Sequence, residues 1–198
     1  MKVAEEVEGC VECQLHVSRK KAVPGEGPAD AEILFVGEGP GFHENEQGRP
    51  FVGAAGRFLE ELLESIDLSR EDVFIGNVVK CRPPGNRDPQ PEEIAACSSY
   101  LHRQIKAIDP KVIVTLGRFS MAQYFPNSKI SKIHGQEKEI DGRMVVPMYH
   151  PAAALHQPSL REVVKEDFAL LPTLIAQRQS ASLPQESDPT DPEQLSLF

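Results

Sequence analysis

The side chains most able to do chemistry stand where short apolar runs end. Glu38 and Glu44 lie in or just after the glycine-rich stretch Gly37-Glu38-Gly39-Pro40-Gly41. Asn77 falls in a second apolar run, and Asn86 follows within Lys80-Cys81-Arg82-Pro83-Pro84-Gly85-Asn86-Arg87. His150 closes another run, directly before Pro151. Carboxylates can place a water or offset positive charge, an amide can pair with a polar ring edge, and a histidine can donate to a developing anion. With Phe51 available to stack, the set suits a planar, polar ligand, and a nucleobase is one.

The cysteines form a second constellation. Cys10 and Cys13 make a C-x2-C pair, and Cys81 and Cys97 follow with fifteen residues between them. Four thiolates suit either zinc or an iron-sulfur cluster, and the spacing alone leaves both open. Disulfides are not expected in the reducing compartment to which the sequence points.

These residues need a scaffold. Ile33 to Val36, Val73 to Val79, Val112 to Leu116 and Met144 to Met148 read as strands rich in branched residues. Helical periodicity runs through Phe58, Leu59, Leu62, Leu63 and Ile66, and through Ile94, Cys97, Leu101, Ile105 and Ile108. A third apolar face runs from Leu160 through Val164, Phe168 and Leu171 to Ile175. Alternating strands and helices predict an α/β fold, a three-layer α/β/α sandwich on a mostly parallel sheet. In such sheets ligands bind beyond the carboxyl ends of the strands, where the polar residues above fall. Gly117-Arg118, after the third strand, is a turn that can open a helix.

A length of 198 residues fits one domain with an appendage, and 40% hydrophobic residues support a real core. The net charge of -9 argues against a surface that grips nucleic acid everywhere, while a local basic patch stays compatible. No apolar run approaches the roughly 18 residues of a membrane span, and the start MKVAEEVEGC is too acidic for a signal peptide. A cytoplasmic protein is expected. The domain is assigned to residues 1–178, and residues 179–198 read as a flexible acidic tail with Glu186, Asp188, Asp191 and Glu193 and no base. The tail ends in Gln194-Leu195-Ser196-Leu197-Phe198, apolar groups that a solvated linker would not otherwise carry.

GEGPG at Gly37 to Gly41, QGRPFVG at Gln47 to Gly53, NVVKCRPPGNRDP at Asn77 to Pro89 and HPAAAL at His150 to Leu155 appear in this order. Together with the four cysteines they resemble the family 4 uracil-DNA glycosylases, the iron-sulfur branch of their superfamily. The resemblance covers roughly residues 10 to 178. It implies a monofunctional enzyme of base excision repair that flips uracil out of DNA and hydrolyses its N-glycosidic bond, leaving an abasic site. His43 and Asn45 stand where relatives often carry acids. The inserted histidine loop of a covalently trapping branch is absent, so turnover is expected.

By the same resemblance Phe51 stacks on the extruded ring, Asn77 reads the uracil edge, Glu44 lies near C5, and Gly39 gives backbone contact. His150 is implied to donate to the uracil O2 anion, with Glu38 or Asn86 orienting water. Cys10, Cys13, Cys81 and Cys97 are implied ligands of a [4Fe-4S] cluster. Lys80, Arg82 and Arg87 are expected on phosphates, and Ala154 and Leu155 in the loop that penetrates the duplex. Arg19-Lys20-Lys21 reads as solvated charge. The terminal QLSLF resembles the peptide by which bacterial repair and replication proteins dock on the DNA polymerase sliding clamp, which points to a bacterial source and a nucleoid-associated protein; a monomer is expected. The alternative is a non-catalytic iron-sulfur or zinc DNA-binding adaptor tethered to that clamp.

Overall fold

The computed structural model describes residues 2–181. The chain begins with α1 (Lys2–Gly9) and α2 (Leu15–Ser18), then enters the sheet at β1 (Ile33–Gly37). Next come α3 (Phe42–Gln47), α4 (Ala54–Glu64), β2 (Phe74–Asn77), a 3-10 turn (Pro84–Asn86) and α5 (Pro91–Ile108). β3 (Val112–Leu116), α6 (Arg118–Ala122), α7 (Ile130–Ile133), β4 (Lys138–Ile140) and β5 (Arg143–Met148) follow, then α8 (Pro151–His156), α9 (Leu160–Ala169) and α10 (Leu171–Ala181). Among the described residues no helix is long and apolar enough to cross a membrane.

The sheet order is β2-β1-β3-β5-β4, with all pairings parallel except β4 with β5. Side chains alternate between its faces. Ile33 and Phe35 of β1 join one core with α4, α9 and α10, while Leu34 and Val36 join the other with α1, α2 and α5. Every residue of β1, β2 and β3 is buried, as a sheet covered on both faces requires. This is the expected three-layer α/β/α arrangement. The chain passes from β1 to β2 on one side and then crosses back over β1 to β3 on the other, so the crevice opens at the carboxyl ends of β1 and β3.

Local chemistry sets the element ends. A capping box between Gln90 and Glu93, with Pro91 in the first turn, starts α5, and Asp109 closes it in a left-handed conformation. The apolar face expected from Leu160 to Ile175 is divided between α9 and α10, because Pro172 has no N–H to give to the Phe168 carbonyl. β2 is shorter than its apolar run: Val78 and Val79 donate to Gly37 and Glu38, outside the regular ladder. The edge strand β4, of mostly exposed polar residues, had no apolar run to announce it. Helix α10 continues to Ala181, three residues past the expected domain boundary at 178. Gln194, Leu195, Ser196, Leu197 and Phe198 lie outside the described residues.

Candidate active site

A cleft of about 480 Å³ lies at the carboxyl ends of the parallel strands. Glu38, Gly39, Glu44, Phe51, Asn77, Asn86, Arg87 and His150 all line it. They arrive from the β1 loop, α3, the α3–α4 connection, the end of β2, the 3-10 turn and the end of β5.

His150 caps α8: its Nδ1 accepts a hydrogen bond from the Ala152 amide at 3.1 Å. An accepting Nδ1 leaves the proton of the neutral ring on Nε2, which is therefore a donor. Burial lowers the His150 pKa to about 4, against an opposing pull from the Glu44 carboxylate, so the ring is neutral at physiological pH. The Phe51 ring stacks beside it, with centroids 5.4 Å apart and an interplanar angle of 22°.

Asn77 is 2% exposed, in direct register with Gly37 on the neighbouring strand. A Cβ at Gly37 would overlap Asn77 Oδ1 and come within 2.8 Å of the Phe51 ring. That glycine is a requirement of the cleft rather than of a turn. Burial raises the Glu38 carboxyl above its ordinary range; Asp88 adds to the rise and Arg118 opposes it. Arg118 and Asp88 pair with each other at the surface. Glu44 Oε1 accepts from the Val52 and Gly53 amides at 3.0 and 3.2 Å, so this carboxylate also holds the segment that carries Phe51. Asn86 sits at a left-handed φ of 56° and accepts from Arg82 Nε at 2.7 Å.

Phe51 has a left-handed φ of 52°, a conformation costing a bulky residue about 1–3 kcal/mol. Its carbonyl passes so close to α4 that a Cβ at Gly56 would overlap it. Arg70, from the loop after α4, donates to that carbonyl at 2.9 Å and to the Pro50 carbonyl at 2.7 Å. Arg70 belongs to the polar stretch Ser69-Arg70-Glu71-Asp72, and nothing in its spacing marks it as a site residue.

Two residues expected on DNA are placed elsewhere. Lys80 is 1% exposed, and its Nζ donates to the Asn77 carbonyl at 2.9 Å and to Gln104 Oε1 at 2.7 Å. Burial lowers its pKa to about 8, and the inward-facing ammonium is a strut between the end of β2 and α5. Ala154 is buried in the core, because helical spacing in α8 turns Ala152 and Ala153 to the cleft instead. His156, not foreseen, also lines the cleft. Leu155 is exposed. Arg82 lies over the exposed Phe42 ring, and Arg87 forms a two-point pair with Glu93. Of the two departures beside Glu44, His43 is exposed, while Asn45 turns inward and accepts from the Lys20 amide.

All four cysteines line a second, smaller cavity between α2, the loop after β2 and α5. Three sulfurs accept hydrogen bonds: Cys10 from the Glu12 amide, Cys81 from Arg19 Nη1 at 3.2 Å, and Cys97 from the Lys80 amide at 3.3 Å. Arg19, read from the sequence as solvated charge, is thus part of this site. Burial pushes the Cys97 thiol up to about 11 and raises Cys81 as well, so thiolates here need a cation to be stable. Among the described residues no three His, Cys, Asp or Glu side chains gather closely enough to hold a single metal ion.

The family model of the uracil DNA glycosylase superfamily matches residues 24–170. The type-4 uracil-DNA glycosylase of Sulfurisphaera tokodaii is 53% identical over 180 residues, covering 84% of this chain and 80% of that protein. Those of Archaeoglobus fulgidus and Thermotoga maritima are each 48% identical, covering 89% and 83% of this chain and 94% and 88% of their own. The chain belongs to the uracil DNA glycosylase superfamily and groups with its type-4 members.

Proposed function

We propose that this chain is a DNA-repair glycosylase that extrudes uracil from DNA and hydrolyses its N-glycosidic bond, releasing uracil and leaving an abasic site. The observation that carries the reading is the neutral His150, fixed as an Nε2 donor in the same cleft as Asn77, Phe51 and Glu38.

Bond cleavage leaves negative charge on the departing base and positive charge on the sugar, and stabilising both is the main catalytic task. His150 Nε2 donates to the forming uracil O2 anion, and as a neutral imidazole it stabilises that anion without giving up its proton. The Asn77 amide pairs with the carbonyl and N–H of the uracil edge. Cytosine, with its amine and bare nitrogen, leaves that buried amide unpaired, which costs about 1–3 kcal/mol. Phe51 stacks on the ring, Glu44 closes the side near C5, and Gly39 offers backbone contact. Glu38 places the attacking water and, when ionised, stabilises the cationic sugar; Asn86 is the second candidate for the water. Arg82 and Arg87 meet phosphates, and Leu155 holds the duplex open.

Cys10, Cys13, Cys81 and Cys97 are the proposed ligands of a [4Fe-4S] cluster. That all four cysteines line one cavity supports a shared set of thiolate ligands. Such a group would tie α2, the loop after β2 and α5 together beside the cleft. Iron and sulfide analysis of purified protein, with Cys97→Ser as control, tests this: zinc in place of iron overturns it. The segment Ser182 to Phe198 is proposed to reach a sliding clamp through Gln194, Leu195, Ser196, Leu197 and Phe198. Its removal is expected to abolish clamp binding and leave cleavage of short oligonucleotides intact.

Incubation with a uracil-containing oligonucleotide, followed by alkaline cleavage of abasic sites, tests the enzyme. Uracil-dependent cleavage that falls at least roughly a hundredfold in His150→Ala, with Asn77→Ala also impaired and a cytosine control untouched, is the expected result. No cleavage by cluster-loaded protein overturns it and leaves a DNA-binding adaptor as the better account.

A further inference from the structure

We propose that Arg70 is a positioning residue for base binding: its guanidinium holds Phe51 in the left-handed conformation that presents the ring beside His150. The proposal rests on Phe51 being the stacking partner of the extruded base. Arg70 does not line the cleft, so any effect it has on the substrate must pass through what it touches.

What it touches is specific. One guanidinium donates through Nη1 to the Phe51 carbonyl and through Nη2 to the preceding Pro50 carbonyl. The side chain is 14% exposed, and its charge is balanced by Glu60 at 3.4 Å and Glu26 at 3.9 Å. Glu60 stands on α4 and Glu26 on a bridge to Ile75 of β2, so the guanidinium is fixed from two elements. A phenylalanine left to itself adopts a negative φ. Two adjacent carbonyls locked on one planar fork resist that relaxation, and Gly56 leaves the space in which the Phe51 carbonyl can face the fork. Without the fork, the backbone at Phe51 rotates and the ring leaves its place at 5.4 Å from His150. A lysine supplies a point donor and can hold one carbonyl at a time, so Arg70→Lys is expected to be intermediate.

The test is a double-mutant cycle on a uracil oligonucleotide with Arg70→Ala, Phe51→Ala and both together. Stacking acts on substrate and transition state alike, so its loss raises KM more than it lowers kcat. Arg70→Ala is expected to raise KM roughly tenfold with kcat changed much less, the size of one base–aromatic stack. The double variant should be no worse than Phe51→Ala, and free guanidinium should restore part of the activity that Arg70→Ala removes. A wild-type KM in folded Arg70→Ala, or effects that multiply in the double variant, overturns the proposal. If Phe51→Ala itself leaves KM unchanged, the stacking reading fails instead. Should Arg70→Ala not fold, Arg70→Lys takes its place in the cycle, with the same two outcomes.

Discussion

His150 and Glu38 depart from their ordinary acidities in opposite senses, and the pH profile of the proposed reaction follows from both. Burial holds His150 neutral down to about pH 4, so its protonation cannot limit activity in the mildly acidic range. Glu38 is raised by the same burial, and it must be ionised to favour the cationic sugar. As pH falls, Glu38 therefore protonates first, and kcat/KM should decline on an acid limb above the ordinary carboxylate range. Glu38→Gln is expected to lower kcat/KM and to flatten that limb; a limb that persists unchanged would assign it to another group.

The elements converge on the cleft through close approaches that no side-chain chemistry announces. Gly37 ends β1 opposite Asn77, where a methyl group would collide with the Asn77 amide and the Phe51 ring together. Gly37→Ala is expected to cut kcat/KM at least about tenfold, since displacing an interaction of about 1.4 kcal/mol is enough for that factor. Thermal unfolding should change far less than activity. A variant with full activity would mean that the strand end yields easily and that Asn77 is not held where the proposed reading needs it. The short helix α8 makes a related point: its first turn supplies the amide that fixes the His150 tautomer, and its pitch sends Ala154 inward and Leu155 outward.

For the whole molecule, an acidic chain of net charge -9 must still approach an anionic polymer. That encounter depends on where a few cations stand rather than on their number. Lys80 is spent in the interior on Asn77 and Gln104, and Arg19 on Cys81 and the Glu8 carbonyl, while Arg82 stays near the surface beside the cleft. Removing one cation from a phosphate lowers the salt dependence of binding by about one in the slope of log affinity against log salt. Arg82→Ala is expected to lower that slope by about one, and Lys80→Met to leave it unchanged. An equal drop for both would mean that Lys80 reaches solvent when DNA is bound.

Periodicity and residue type sufficed for the four parallel strands, their three-layer cover and the crevice, because a strand buried on both faces must be apolar throughout and a covering helix must repeat at its own pitch. The ordered motifs sufficed for the family and for most of the cleft: Glu38, Gly39, Glu44, Phe51, Asn77, Asn86, Arg87 and His150 share one cavity. The tertiary structure decided which way each side chain faces. Lys80 and Ala154 lie within motifs that the resemblance assigns to DNA, yet both point inward, since alternation at a strand end and rotation along a helix depend on a register that motifs do not encode. Arg70 and Arg19 were illegible for the converse reason. Their partners lie 19 and 62 residues away in sequence, so only the folded chain brings the guanidinium of one to Phe51 and of the other to Cys81.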